Sequence, residues 1–215
     1  MWKLENSDII ETKVNLLKKN KNKNLNFFEI MEYANDNNRE IYIDAITPIV
    51  ADRLNKTIRF WNDIDDGMGY PMTERQPIKI FIDSFGGSLT AAFTMIDSIK
   101  LSRTPVYTYN IGTTYKESFF VYLAGHKKFA YPRSSFCYEK PQSQGPGVSI
   151  GFAQEEQNQS NYQDFFEKQL LELKSMLMEG TKVTEADEKR QSWWFNAEKA
   201  YELKLCNEVI RGRLN

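Results

Sequence analysis

Two successive strand–turn–helix units constrain the fold of this chain more than any other feature of its sequence. Residues 78–82 form an apolar strand that enters a turn containing Gly86 and Gly87, and an apolar helix follows. A second apolar strand over 106–111 leads through Gly112 into a helix predicted over 115–124. This alternation predicts an α/β fold with a mostly parallel sheet and crossover helices.

The composition indicates one globular domain in a reducing environment. Of 215 residues, 41% are hydrophobic and 27% charged, which is typical of a folded domain rather than a disordered chain. The net charge of −1 gives no reason to expect nucleic acid as a partner. Cys137 and Cys206 have no metal-ligand spacing, so we expect neither a metal nor another cofactor. Because the first residues lack the apolar core of a signal peptide and no run approaches membrane-spanning length, we expect a cytoplasmic location.

The chain is predicted to contain two parts. Residues 1–26 contain a helix followed by a run of Lys and Asn that we interpret as a basic, solvated linker. Residues 27–215 form the main domain, which includes an extended segment and a long helix that together span 142–178. Other elements are predicted from periodicity: a strand over 40–46, helices over 49–61 and 196–203, a polar loop over 62–77, and short strands over 129–131, 135–138 and about 208–210.

An ordered series of short motifs resembles the proteolytic subunit of the Clp protease, a member of the crotonase-like superfamily. The series covers about residues 27–212 and comprises segments 80–89, 106–107, 123–125, 131–135 and 196–205, with Gly112 and Pro141 between them. The resemblance implies a crotonase-like fold of repeated β-β-α units with a protruding strand–helix handle. It also implies a serine endopeptidase whose Ser-His-Asp triad faces the lumen of a double ring.

The positions that match the catalytic Ser and His carry other residues. The Ser position lies four residues after Gly112 and nine before Gly125, and both counts give Lys116. The His position, before Lys140 and Pro141, is Glu139. Since nucleophilic attack needs a hydroxyl and a base that takes its proton, this chain lacks both groups at the matching positions.

The third catalytic position is also changed. The family's Asp lies five residues before the position of Ala197, which gives Ser192, whereas counting forward from Gly180 gives Trp193. Neither is an acid. The single histidine, His126, follows a glycine in a predicted turn, and we interpret it as an ordinary turn residue.

The diglycine turn has two interpretations that the sequence leaves open. Gly86 and Gly87 lack β-carbons, so with the amide of Glu117 they could form an oxyanion hole. Alternatively, the glycines serve only tight packing between the strand and its helix. Phe85 stands where the family has Pro, and it could fill part of the peptide groove.

Three functional hypotheses follow for Lys116 and Glu139. In the first, the two side chains face each other as an ion pair, because an unpaired buried charge is costly, and the chain is a catalytically silent pseudo-peptidase. In the second, Lys116 is the base for a nearby serine, the candidates being Ser118, Ser84 and Ser88. In the third, Glu139 and Glu117 form an acid/base pair of a crotonase-like acyl-CoA enzyme.

The resemblance also implies partners. We expect homo-oligomeric rings, typically sevenfold and able to stack in pairs, which could include active Clp subunits or dock an AAA+ unfoldase. Tyr107, Tyr109 and Tyr131 are candidates for the docking cleft, the alternative being that they are ordinary strand residues. No nucleic acid or membrane partner is expected.

Overall fold

The computed structural model describes residues 38–139, 153–184, 187 and 192–212. The chain divides into two units, residues 1–40 and 41–215, and nearly all described residues belong to the second. The predicted N-terminal helix, the basic linker and the extended segment over 142–152 lie outside the described residues. The boundary at residue 26 therefore stays a prediction.

Strands and helices alternate along the described chain, as predicted. In chain order, numbered over the described residues, the elements are β1 (Glu40–Ile43), α1 (Pro48–Gly67), β2 (Ile78–Ser84), α2 (Leu89–Lys100), β3 (Val106–Tyr115), α3 (Glu117–Leu123), β4 (Lys127–Ala130), β5 (Ser135–Tyr138), α4 (Ala153–Met178), β6 (Trp193–Asn196), α5 (Ala197–Glu202) and β7 (Glu208–Val209).

The strands form a mostly parallel sheet whose main order is β1-β2-β3-β4-β7, with β5 pairing both β3 and β6. The long strand β3 divides its pairing: Tyr107 lies opposite Lys127 of β4, and Thr113 lies opposite Ser135 of β5. Only β6 runs antiparallel to its neighbour among the pairings described. Because β2, β3 and β5 are parallel, their carboxyl ends meet at one edge of the sheet, which is where parallel α/β folds bind ligands.

Helix α1 is longer than its sequence pattern predicts. Thr47 caps its start by accepting a hydrogen bond from Val50 N at 3.3 Å, and Pro48 occupies the first turn. The predicted loop from residue 62 is wrong over 62–67, where the helix continues. Its polar residues are held by tertiary bonds: Asn62 Oδ1 accepts from Thr104 N, and Asp65 Oδ2 from Thr104 Oγ1, both at 2.7 Å.

Two further differences concern strands that sequence patterns do not reveal. Strand β3 continues through Tyr115, which pairs with Cys137, so α3 begins at Glu117 instead of 115. Strand β6 was not predicted; its four residues alternate between buried Trp193 and Phe195 and two exposed positions. Both differences arise from pairing with β5, a contact between distant parts of the chain.

The core lies between the sheet and the helices. Its large, fully buried side chains include Phe119 and Tyr122 of α3 and Phe136 of β5. The long helix α4 has the predicted extent, and Leu170 and Leu177 anchor its C-terminal part on this core. On α4, Leu170 is therefore covered by the chain itself, whereas Phe165 and Met176 are exposed. Among the described residues, no helix is long and apolar enough to cross a membrane.

Candidate functional site

The residue between β3 and α3 is held in an unusual backbone conformation. Lys116 has φ 55° and ψ −122°, a positive φ that non-glycine residues adopt rarely and at some cost. A sharp strand-to-helix turn of this kind holds the nucleophile of many hydrolases at the edge of a sheet. The conformation typical of a nucleophile position is therefore present at residue 116, although the side chain is an ammonium.

The predicted ion pair between Lys116 and Glu139 is confirmed. Lys116 Nζ lies 3.4 Å from Glu139 Oε1, and the two side chains are 37% and 25% exposed. A third member was missed by the sequence reasoning: the Tyr115 hydroxyl donates a 2.5 Å hydrogen bond to Glu139 Oε2. Lys116 Nζ also lies 5.0 Å from the centroid of the Tyr115 ring.

These contacts favour the protonated forms of Lys116 and Tyr115. The pKa of Lys116 is raised, first by its hydrogen bond with the Tyr115 oxygen and then by the nearby Glu139 carboxylate. The pKa of Tyr115 is raised chiefly by its hydrogen bond to Glu139. At neutral pH the lysine is therefore an ammonium and the tyrosine keeps its proton. An ammonium cannot accept a proton from serine, which argues against the Ser-Lys hypothesis.

The three candidate serines are engaged in structural contacts. Ser118 is fully buried, and its Oγ lies 2.7 Å from Ser84 O and 2.8 Å from Tyr115 O. Ser84 Oγ accepts a hydrogen bond from Gly86 N at 3.2 Å. Ser88 caps the start of α2, where its Oγ accepts a hydrogen bond from Ala91 N at 3.3 Å. Their positions do not provide an activated hydroxyl beside Lys116.

The candidates for the third catalytic position do not join the Lys116–Glu139 pair. Ser192 Oγ lies 3.4 Å from Cys137 Sγ, while Trp193 is buried in β6. Burial raises the pKa of the Cys137 thiol, so the thiolate that would be needed for nucleophilic attack is disfavoured. A Cys137–Ser192 contact therefore holds β5 close to the segment before β6 and offers no proton relay.

The diglycine turn is occupied from within the chain. Gly87 N donates a 3.0 Å hydrogen bond to Glu117 Oε2, and the Glu117 residue is only 5% exposed. The predicted oxyanion donor at Gly87 is therefore already engaged by a carboxylate. The contacts argue against the acid/base pair of the acyl-CoA hypothesis, because Glu117 binds Gly87 whereas Glu139 binds Tyr115 and Lys116.

The only histidine of the chain lies at the other end of β3. His126 Nδ1 accepts a hydrogen bond from Val106 N at 3.0 Å, and Val106 is the first residue of the strand whose last residue precedes Lys116. Ten residues of extended chain span about 30 Å. His126 cannot act as a base at the Lys116 turn of the same chain, and its predicted role as a turn residue fits this position.

The pKa of His126 should lie below the ordinary value of 6.5. Partial burial of the ring lowers it most, and repulsion from Lys100 and Lys128 lowers it further. Below about pH 6.5 the imidazole binds a proton more readily in the unfolded chain than in the folded chain. The free energy of unfolding is therefore higher above this pH and decreases as the pH falls. The single imidazole makes an NMR titration unambiguous. His126→Gln should flatten the pH dependence of unfolding in this range; an imidazole pKa above 6.5 would contradict the expectation.

A row of stacked aromatic rings crosses strands β1, β2, β3 and β4. Phe81, Tyr109 and Phe129 occupy the same register in β2, β3 and β4, with centroid separations of 4.8 Å between neighbours. Tyr42 extends the row beyond Phe81 at 4.9 Å, and Tyr107 contacts Phe129. Of the predicted cleft residues, Tyr107 and Tyr109 belong to this aromatic row.

Tyr131 has no ring in the row; its backbone N bonds Asn110 O instead. The sequence reasoning missed Tyr42, Phe81 and Phe129, because only the register of three strands aligns their rings. A strand alternation of aromatic and polar residues was the one available signal, and it does not specify which strands are neighbours.

The mostly parallel sheet with its crossover helices defines an α/β protein of the crotonase-like class. Residues 71–213 match the family model described as Clp protease, which is well over half of the chain. The chain belongs to the Clp protease family.

Individual relatives are distant. An ATP-dependent Clp protease proteolytic subunit 2 of Treponema denticola is 26% identical over 147 residues, covering 66% of this chain and 70% of the relative. The same-named protein of Treponema pallidum is 27% identical over 143 residues, covering 64% and 68%. An ATP-dependent Clp protease proteolytic subunit-related protein 2, chloroplastic, of Arabidopsis thaliana is 26% identical over 163 residues, covering 75% and 54%.

Proposed function

We propose that this chain is a catalytically silent Clp-type subunit, a pseudo-peptidase that acts as a ring-forming structural or regulatory component. The observation that carries the proposal is the Lys116–Glu139 ion pair, which joins the two positions that match the family's Ser and His. The positive φ of Lys116 supports the assignment of residue 116 to the nucleophile position, because nucleophiles of many hydrolases lie on strained strand-to-helix turns of this kind.

Chemistry supports silence at each step of peptide hydrolysis. Attack requires a nucleophile, yet position 116 carries a cation whose pKa is raised. Proton removal requires a base, and Glu139 is occupied by Tyr115 and Lys116. Stabilising the tetrahedral oxyanion requires free amides, and Gly87 N is bound to a carboxylate. The three serines described near the turn, Ser84, Ser88 and Ser118, are engaged in structural contacts.

Assembly with other subunits is the second part of the proposal. The relatives in Treponema are named as proteolytic subunits of an ATP-dependent protease. By family, the chain would form rings, sevenfold and stacked in pairs, alone or with active Clp subunits, and would dock an AAA+ unfoldase. We assign that docking to the accessible rings of the aromatic row, Tyr42, Tyr107 and Phe129, since Phe81 and Tyr109 are buried. A cytoplasmic location stays a prediction.

Peptidase measurements test the silence directly. The purified chain should hydrolyse small fluorogenic peptides and unfolded casein no faster than Lys116→Ala, and should not be labelled by a fluorophosphonate. An active Clp peptidase assayed in parallel sets the positive signal. Particle mass should be determined on the same sample, so that silence is scored on the assembled state. Turnover that disappears in Lys116→Ala, or fluorophosphonate labelling of one serine, would contradict the proposal.

A further inference from the structure

The carboxylate of Glu117 lies against the diglycine turn as a ligand would. Its Oε2 accepts the Gly87 amide hydrogen bond at 3.0 Å, although the residues belong to different turns thirty positions apart. Hydrogen bonds between an amide and a carboxylate are stronger than those between neutral groups. At 5% exposure, Glu117 is largely withdrawn from water, so this bond replaces hydration that the carboxylate has lost.

The shape of the turn is adapted to that approach. Gly86 and Gly87 have φ values of 95° and 152°, which side chains rarely tolerate. A β-carbon at Gly86 would lie 2.5 Å from Glu117 Oε2, so any other residue there would displace the carboxylate. The turn itself is fixed on its far side, since Ile46 N donates to Gly86 O and Ser88 N donates to Ile46 O.

We propose that the Gly87 amide is a binding subsite for acyl and carboxylate oxygens that the chain keeps filled with its own Glu117. The inference deepens the proposed function and rests on it for the origin of the cleft. A tethered carboxylate competes at an effective concentration of about millimolar or higher, so the carbonyl of a peptide or a peptide C-terminus cannot displace it easily. The native chain therefore excludes acyl ligands even from the remnant of their site.

A purely structural role for Glu117, in which it only fastens α3 to the turn, predicts different behaviour on substitution. Shortening the side chain would then leave a loosened turn with no affinity for anions. If the turn is a subsite, shortening the side chain instead leaves a vacant amide that an added carboxylate can occupy. Glu117→Gln separates the effects of charge and space, because its amide oxygen can still accept from Gly87 N without the charge.

Hydrogen exchange measured by mass spectrometry with single-residue fragmentation tests this in the full-length assembled chain. The Gly87 amide should exchange about tenfold faster or more in Glu117→Ala than in the native chain, and at an intermediate rate in Glu117→Gln. Added acetate should slow exchange at Gly87 in Glu117→Ala but not in the native chain. Chloride at equal ionic strength is the control for salt. The Ser88 amide, which donates to Ile46 O, reports whether the turn remains folded.

Two results would overturn the inference. Unchanged exchange at Gly87 in Glu117→Ala would mean that the carboxylate does not hold the amide. Fast exchange that acetate cannot slow, whether or not Ser88 stays protected, would mean that Glu117 is only a fastener. Neither result depends on peptidase activity. If the native chain hydrolysed peptides, and acetate slowed amide exchange at Gly87 in Glu117→Ala, the proposed silence would be refuted. The binding subsite at Gly87 would still be supported.

Discussion

Replacing Gly87 by alanine should lower the free energy of unfolding by about 3 kcal/mol or more, since backbone strain and overpacking each cost up to about 3 kcal/mol. The new β-carbon would overlap the carbonyl oxygen of Ile46, and the φ of Gly87, 152°, is one that alanine rarely adopts. Neither backbone can retreat freely, because Ile46 is bonded to both Gly86 and Ser88. Denaturant unfolding at fixed protomer concentration measures the loss as a lower midpoint with an unchanged slope.

Gly67→Ala is the matched control for this change. Gly67 ends α1, and an added β-carbon there would meet nothing within 4 Å. Its substitution should be neutral or slightly stabilising, because alanine has the higher helix propensity. A Gly87→Ala variant whose midpoint equals that of Gly67→Ala would show that the turn relaxes, and the close approach of the Ile46 backbone to Gly87 would have to be reconsidered.

Truncating Phe119 to alanine should lower the free energy of unfolding by about 3 to 5 kcal/mol, the usual cost of removing a buried phenyl ring. Phe119 is fully buried in α3 and makes edge-to-face contacts with four rings: Phe120, Phe136, Tyr138 and Phe195. These rings come from α3, β5 and β6, so the cavity would loosen the elements that hold Glu139 opposite Lys116. Chemical denaturation gives the change in free energy of unfolding.

Phe85→Ala provides the comparison for a phenyl ring at the surface. Phe85 is 69% exposed and contacts the Tyr115 ring only edge-on at 6.3 Å. Its truncation should change the free energy of unfolding by no more than about 0.5 kcal/mol. Equal losses in the two variants would contradict the assignment of Phe119 to the core and of Phe85 to the surface.

Much of the scaffold could be predicted because its signals are local. Apolar runs of strand length, the glycines of a tight turn and a serine before an apolar helix indicate β2, the diglycine turn and the cap of α2 without knowledge of distant residues. The ion pair between Lys116 and Glu139 was also predictable, since opposite charges at two positions that face each other in a family compensate one another.

Other features of the site could not be predicted because they depend on orientation. Glu117 and Glu139 are both carboxylates near the same turn, and the sequence offered them equally as an acid/base pair. The direction of each side chain follows from the positive φ of Lys116 and from the pairing of β3 with β5. That backbone directs Glu117 towards Gly87 and aligns Tyr115 with Glu139.

The sequence by itself determined the family and most of the order of elements, and it predicts that the positions matching the family's Ser, His and Asp carry other residues. Residue identity suffices for these conclusions, since a missing functional group cannot be supplied by folding. Only the tertiary structure decided that Tyr115 completes the charged cluster, that Glu117 fills the diglycine turn, and that rings from separate strands form one row. Each depends on strand register or on a single strained turn, which are set by contacts between residues far apart in the chain.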